Sequence, residues 1–361
     1  MVLTRGDDYP LHQTPEPIAF AGTDRNFYDR YFFNGYAPDG SGFFAAAFGV
    51  YPQLDIADAH FSFIRGGSQF SLHASIELGM ERMALRCGPI SIEVLEPLNR
   101  LRLVVEQSEG IVADITFTGR SFPIEEPRFM HRQGARAFMD YTRMTQNGHY
   151  EGWISLDGEK VDLAEGTAGT RDRSWGIRPI GARDPQPIPG APVPSFFWQW
   201  IPVNFDDGSL FFHVNNDAHG EPWNTRAAWA PDGASASQLA EGEGSMRTRL
   251  SSGTRWPSGG TLSLALPGGP EQVTFEPLGR FQMRGLGYTH PVWGHGMHHG
   301  ALKVEREDLD LDDLDPLALE NLHVQIPVQV RGGERDGIGV FEQLILGPFS
   351  PLGLKGMLGA G

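Results

Sequence analysis

The residues best equipped for chemistry fall in one stretch, Gly169-Thr-Arg-Asp-Arg-Ser-Trp-Gly-Ile-Arg-Pro179. Asp172 stands between Arg171 and Arg173, with Trp175, Gly176 and Arg178 just behind it. Flanking guanidiniums favour an ionised carboxyl, whereas burial against Trp175 favours the protonated form. Either form serves proton transfer, so Asp172 is the candidate acid–base residue, with Arg171 and Arg178 expected to set its charge and orientation. The same residue types also build buried ion-pair clasps, and spacing alone leaves both readings open. Ser174 is not read as a nucleophile, because Asp172 occupies the place of the first glycine in a nucleophile elbow.

A second polar group is Trp293-Gly-His295-Gly-Met-His298-His299. On a strand His295 and His299 share one face, which is half a zinc site, and no His-Glu-x-x-His pattern is present. Polar lining of a pocket is preferred to metal binding here, and no cofactor is expected. Tyr141, His295 or His298 is then the proton-transfer partner of Asp172. Phe196, Trp198 and Trp200 alternate onto one face, suited either to core packing or to an aromatic wall against an apolar ligand or a developing cation. His213 lies on the strand that follows. Trp175, Trp198, Trp200, His213 and Tyr288 are the candidate substrate-binding residues.

The pattern Gly-x-Arg-Asp-x-Ser-Trp-Gly-x-Arg, carried by Gly169, Arg171, Asp172, Ser174, Trp175, Gly176 and Arg178, resembles the signature of the AttH and carotenoid 1,2-hydratase-like proteins. The resemblance covers most of the chain and is strongest from about Gly169 onward. It implies an all-β fold of two consecutive lipocalin-like (calycin) antiparallel barrels, and isoprenoid double bonds as one substrate class. Hydratases and pericyclic cyclases share that superfamily, so fold analogy alone does not select a reaction.

The elements that must position these residues read as strands. Forty-six glycines and 27 prolines punctuate short alternating segments throughout the chain. Strands are expected at Phe43–Val50, Ala59–Ile64, Gln69–Leu78, Arg82–Arg86, Ile90–Leu95, Leu101–Gln107 and Val112–Thr118. Others are expected at Ala135–Gln146, Tyr150–Leu156, Lys160–Leu163 and Gly337–Leu346, with hairpin turns at Asn147-Gly148 and Asp157-Gly158. Asp24–Tyr31 is expected to form a short helical turn, Asp184–Pro194 a proline-rich crossing, and acidic Glu305–Asp315 a solvated loop or short helix. Two similarities suggest duplication of one barrel: Pro38–Phe44 with Asp206–Phe212, and Met139–Gly152 with Gly287–Gly300. The expected domains are residues 1–168 and 169–361, the second opening with the motif.

Composition narrows the function further. The 361 residues carry a net charge of −16, which disfavours nucleic acid and anionic membranes. No apolar run is long enough for a spanning helix and no leader is evident, so a cytoplasmic location is expected, without membrane insertion. Cys87 is the only cysteine, which excludes an intrachain disulfide. Neither a Gly-x-Gly-x-x-Gly turn nor a Walker loop is present. By elimination, chemistry here uses side chains alone or a metal; with the resemblance, this points to a cofactor-independent lyase (hydration, or loss of water or formaldehyde) or isomerase. Its substrate would be a terpenoid or hydroxylated aromatic held in a barrel cavity. The alternative is a carrier that binds such a ligand unchanged. Exposed strand edges are compatible with a homodimer.

Overall fold

The computed structural model describes residues 3–12, 24–183 and 195–360. It is all-β, with two antiparallel sheets, the first built from strands between Phe27 and Ile177 and completed at one edge by the later strand Leu302–Asp310. The first sheet is an open, curled half-barrel. Its strands lie in the order Leu302–Asp310, Ser68–Glu77, Ile56–Arg65, Phe43–Tyr51, Phe27–Tyr36, Ala168–Ile177, Arg136–Leu156, Ile111–Gly119, Arg100–Ser108, Ile90–Glu96 and Arg86–Cys87. The second is a closed eight-stranded barrel of Phe196–Phe205, Gly208–Asn216, Pro222–Pro231, Ala240–Leu250, Pro257–Ala265, Gln272–Pro277, Val324–Gly332 and Arg335–Leu346. Pairing of Gln272–Pro277 with Val324–Gly332 closes it. Together they form a two-domain lipocalin-like fold.

Three apolar layers follow from strand alternation. One fills the concave side of the half-barrel with Phe33, Phe44, Phe61, Leu103, Ile115 and Phe117. A second fills the closed barrel with Ile201, Val203, Leu210, Leu262, Phe275 and Phe341. The third is the seam where the half-barrel meets the outer wall of the closed barrel, with Tyr28, Phe32 and Tyr36 facing Trp198, Trp200, Phe211 and Leu344.

Several expectations change. Phe27–Tyr36 is a strand rather than a helical turn, and all ten of its residues are buried. Lying between two apolar layers it has no polar face, so the sequence shows no period of two. Arg136–Leu156 is one continuous strand across Asn147-Gly148. Gly148 is needed there for close approach, since a Cβ would sit 2.3 Å from the Thr118 carbonyl oxygen. Asp157-Gly158 does turn, with φ of 51° and 88°. Arg82–Arg86 contributes only its end to a short strand, Arg86–Cys87.

Most of acidic Glu305–Asp315 belongs to strand Leu302–Asp310, which pairs with Ser68–Glu77 at the edge of the first sheet. Charge on an edge strand discourages further pairing. The motif strand Ala168–Ile177, expected to open the second barrel, lies inside the first sheet between Phe27–Tyr36 and Arg136–Leu156. The closed barrel completes its ladder without it. Of the two similarities, Pro38–Phe44 and Asp206–Phe212 both join the first hairpin of their sheet. Met139–Gly152 is strand whereas Gly287–Gly300 is largely turns, so that pair is not equivalent. The Asp184–Pro194 crossing lies outside the described residues.

Candidate active site

Alternation divides the motif between two faces. Arg171, Arg173 and Trp175 point away from the seam and hold the segment around Thr4–His12. Arg171 pairs with Asp8 and donates to Gln146 Oε1 (2.8 Å). Arg173 pairs with Asp29 (2.6 Å) and donates to the carbonyls of Asp7 and Tyr9 (3.0 and 2.9 Å). Trp175 stacks on His12 with 3.6 Å between ring centres, and His12 lies between Asp29 and Asp7 (2.7 and 2.9 Å). Arg171 and Trp175, expected respectively to tune Asp172 and to line the substrate site, are therefore parts of a structural clasp.

Asp172 and Ser174 face the seam. Registered partners on three neighbouring strands make three rows: Phe32–Asp172–Thr145, Arg30–Ser174–Arg143 and Tyr28–Gly176–Tyr141. Directly opposed residues share a face, so these nine positions form one wall. Gly176, at φ 137°, is obligatory in the tyrosine row: a Cβ would lie 2.3 Å from the Asp140 carbonyl oxygen.

Arg143 is the centre of this wall. Its guanidinium lies 4.8 Å from the Trp198 ring centre and 5.1 Å from that of Phe129. It is also 3.9 Å from Asp172 and 3.8 Å from Glu126. The aromatic wall expected to face an apolar ligand or a cationic transition state thus already holds a cation of the protein itself.

Glu126 is fully buried, accepting from Thr145 Oγ1 (2.6 Å) and Trp200 Nε1 (3.3 Å). Burial pushes its carboxyl up. Asp172 differs in kind. Its carboxyl makes no hydrogen bond among the described residues, and its side chain keeps 13% of its exposure in the seam. Burial, opposed by Arg143 and reinforced by Glu126 and Glu342, raises Asp172 from 3.8 to about 7. Such a group is half ionised at neutral pH and can give or take a proton.

The opposite wall comes from the closed barrel and from the turns at 283–299. Glu342 accepts from Trp198 Nε1 (3.0 Å), Gln325 (2.7 Å) and His323 Nε2 (2.8 Å). Burial opposes its charge, but these donors hold the Glu342 carboxyl below its ordinary value. Tyr288 stands between His295 and His323 at 4.4 and 4.8 Å. Arg178 lies 4.3 Å over the Tyr28 ring and donates to His295 Nδ1 (3.1 Å). His295 Nδ1 is therefore the acceptor, and Nε2–H donates to the Leu286 carbonyl (3.0 Å). Burial and the charges of Arg30 and Arg178 hold His295 well below the usual histidine range. With both nitrogens engaged, His295 aligns Arg178 and does not exchange protons.

The seam brings together Asp172, Arg178, Tyr141, His295, Trp198 and Tyr288. His298 is exposed and meets Glu77 at 3.3 Å, outside the site, because residues 295–299 turn rather than extend. Trp200 and His213 are packed beneath it: Trp200 meets Phe32 edge-on, and His213 hydrogen-bonds Asn224 (3.0 Å), with burial lowering it to about 3. Tyr28, Arg30, Glu126 and Glu342 were not singled out from sequence. Glu342 had a signal, a lone charge within Ile338–Leu346.

One group among the described residues is spaced for a metal, His73, His290 and Glu307, with ligand atoms within 4.8 Å. His290 Nδ1 accepts the N–H groups of Val292 and Trp293 (3.0 and 2.7 Å), which leaves its proton on Nε2. That proton faces Glu307 (3.3 Å), and Arg284 pairs with the same carboxylate (2.7 Å). The donor set suits a hydrogen-bonded network and does not fit an ion. Cys87 is buried, and burial pushes its thiol up, away from thiolate chemistry. A separate cleft of about 550 Å3, lined by Phe43, Trp256 and Arg280, contains none of the residues predicted from sequence.

The family model described as "Family of unknown function (DUF8625)" matches residues 3–355. No curated protein sequence matches the chain. Among solved structures, an AttH-like protein from Nitrosomonas europaea is 17% identical, with 93% of this chain and 98% of that one covered and a TM-score of 0.53. CghA is 12% identical, with 94% of both chains covered and a TM-score of 0.50. Kievitone hydratase from Nectria haematococca is 11% identical, with 88% of both chains covered and a TM-score of 0.49. At these identities the likeness is one of fold.

Proposed function

The chain belongs to DUF8625, a family of unknown function, and we propose that it is a lyase or isomerase acting by acid–base chemistry on a hydrophobic small molecule. The observation that carries this reading is Asp172: a carboxyl without hydrogen bonds among the described residues, raised to about 7, with Arg143 at 3.9 Å. Structural carboxylates in this protein, such as Asp8, Asp29 and Glu342, accept hydrogen bonds instead. Asp172 takes a proton from carbon or from water. Arg143, held by Trp198 and Phe129, moderates its charge through space. Tyr28 and Tyr141, kept protonated by burial, offer O–H groups to a departing or arriving oxygen. Hydration and elimination run through these parts in opposite directions, and an isomerase returns the proton to another carbon.

The test incubates purified protein with pooled terpenoid and hydroxylated aromatic compounds, beside Asp172→Asn, with mass-spectrometric readout. A product differing by water or formaldehyde, or only in retention time, is expected, with the rate falling about 10²–10⁴-fold in the variant. Undiminished turnover by Asp172→Asn would end the assignment. Compounds recovered unchanged from both proteins would identify a carrier.

A further inference from the structure

We infer that the ligand of the seam carries an oxyanion-forming group, a carboxylate, enol or phenol on an apolar frame, and that Arg178 receives it. This rests on the seam being the ligand site, but not on Asp172 acting there.

The argument begins with charge pairing. Four arginines of the first sheet each have a carboxylate: Arg30 has Asp58 (3.7 Å), Arg143 has Asp172 and Glu126, Arg171 has Asp8, and Arg173 has Asp29. Fully buried Arg255 donates instead to four backbone carbonyls. Arg178 has no carboxylate within 4.0 Å among the described residues, and its Nε–H is buried without a partner. Its one side-chain acceptor is His295 Nδ1, and fixing that tautomer through Leu286 aims the guanidinium. The Tyr28 hydroxyl is equally unserved. Ser174 is its polar neighbour, yet no hydrogen bond of ordinary geometry closes on it in full burial.

A guanidinium without a carboxylate, beside a buried O–H without a partner, is suited to receive an anion. Sugar-like or purely hydrocarbon ligands would leave the charge uncompensated. The site also has a scale. Gly176, in the row of Tyr28, and Asp172 are four residues apart on one strand, roughly 13 Å. A ligand anchored at Arg178 therefore extends past Ser174 to bring its far end to Asp172. An aromatic or polycyclic frame of about two rings fits that span.

The probes are 2-naphthoate and its neutral isostere 2-naphthamide, titrated calorimetrically at pH 6, where Asp172 is largely protonated. Wild-type protein is expected to bind the carboxylate at least tenfold more tightly than the amide. That preference should fall below twofold in Arg178→Gln and persist in Asp172→Asn. His295→Leu, which removes the aligning acceptor and leaves the cation, is measured in parallel and should give an intermediate preference. Equal affinities in the wild type, no binding of naphthoate at millimolar concentration, or a preference that survives Arg178→Gln would each overturn the inference. If Asp172→Asn turns over normally while the preference still follows Arg178, the acid–base reading fails and this one stands.

Discussion

At the residue scale, burial holds the Asp172 carboxyl in a state that costs stability. Asp172 is raised from 3.8 to about 7, so the folded chain binds its proton more tightly than the unfolded chain does. Its contribution to stability therefore falls as pH rises between those values and stays low above them. About three pH units correspond to on the order of 4 kcal/mol at most. Asp172→Asn should accordingly be more stable than wild type at pH 8 by up to that amount, with the gap shrinking towards pH 5, as urea unfolding would measure. An equal or lower stability at pH 8 contradicts the account. Catalysis should carry the same signature: kcat/KM of the wild type is expected to change through a midpoint near 7, and a profile flat from pH 5.5 to 8.5 would exclude Asp172 as the titrating group.

At the scale of the element, strand Ala168–Ile177 does two jobs because its residues alternate. One face offers Asp172 and Ser174 to the seam, and the other clamps the Thr4–His12 segment through Arg171, Arg173 and Trp175. The sequence displayed the residue types of both jobs but not their separation. Adjacency in the chain suggested that Arg171 tunes Asp172, whereas a strand sends neighbours to opposite sides. Arg143 carries that tuning, from a strand whose pairing with the motif is a long-range fact. Removing one partner of a buried ion pair leaves the other unpaired, so Arg173→Ala should destabilise by about 3–5 kcal/mol. Gly176→Ala should also unfold at lower denaturant, since φ 137° and the Asp140 carbonyl leave no place for a Cβ. Stability of either variant within 0.5 kcal/mol of wild type, roughly the range of a neutral surface change, would contradict these roles.

At the scale of the whole molecule, the all-β class and the lipocalin-like architecture were legible from strand punctuation and the motif. The location of the site was not. A lipocalin-like barrel suggests a ligand inside it, yet Ile201, Val203, Leu262 and Phe341 fill this one. The candidate residues gather where one sheet meets the other barrel's outer wall, and Glu342, buried in an apolar strand, was their overlooked marker. The two places respond differently to substitution. Ile201→Ala should cost about 2–5 kcal/mol through its cavity while leaving binding of the naphthoate probe intact in the folded protein. Leu346→Trp, on a partly buried margin of the seam, should weaken probe binding with little loss of stability. The reverse pattern, read by calorimetry and urea unfolding, would place the ligand in the barrel.

The most direct measurement is the titration of the Asp172 carboxyl itself, followed by carbon NMR on protein labelled at aspartate and assigned by difference from Asp172→Asn. The account predicts a midpoint near 7, several pH units above an ordinary aspartate. A midpoint below 5 would mean that Asp172 is already paired or solvated in the free protein, and would remove the acid–base centre from the seam.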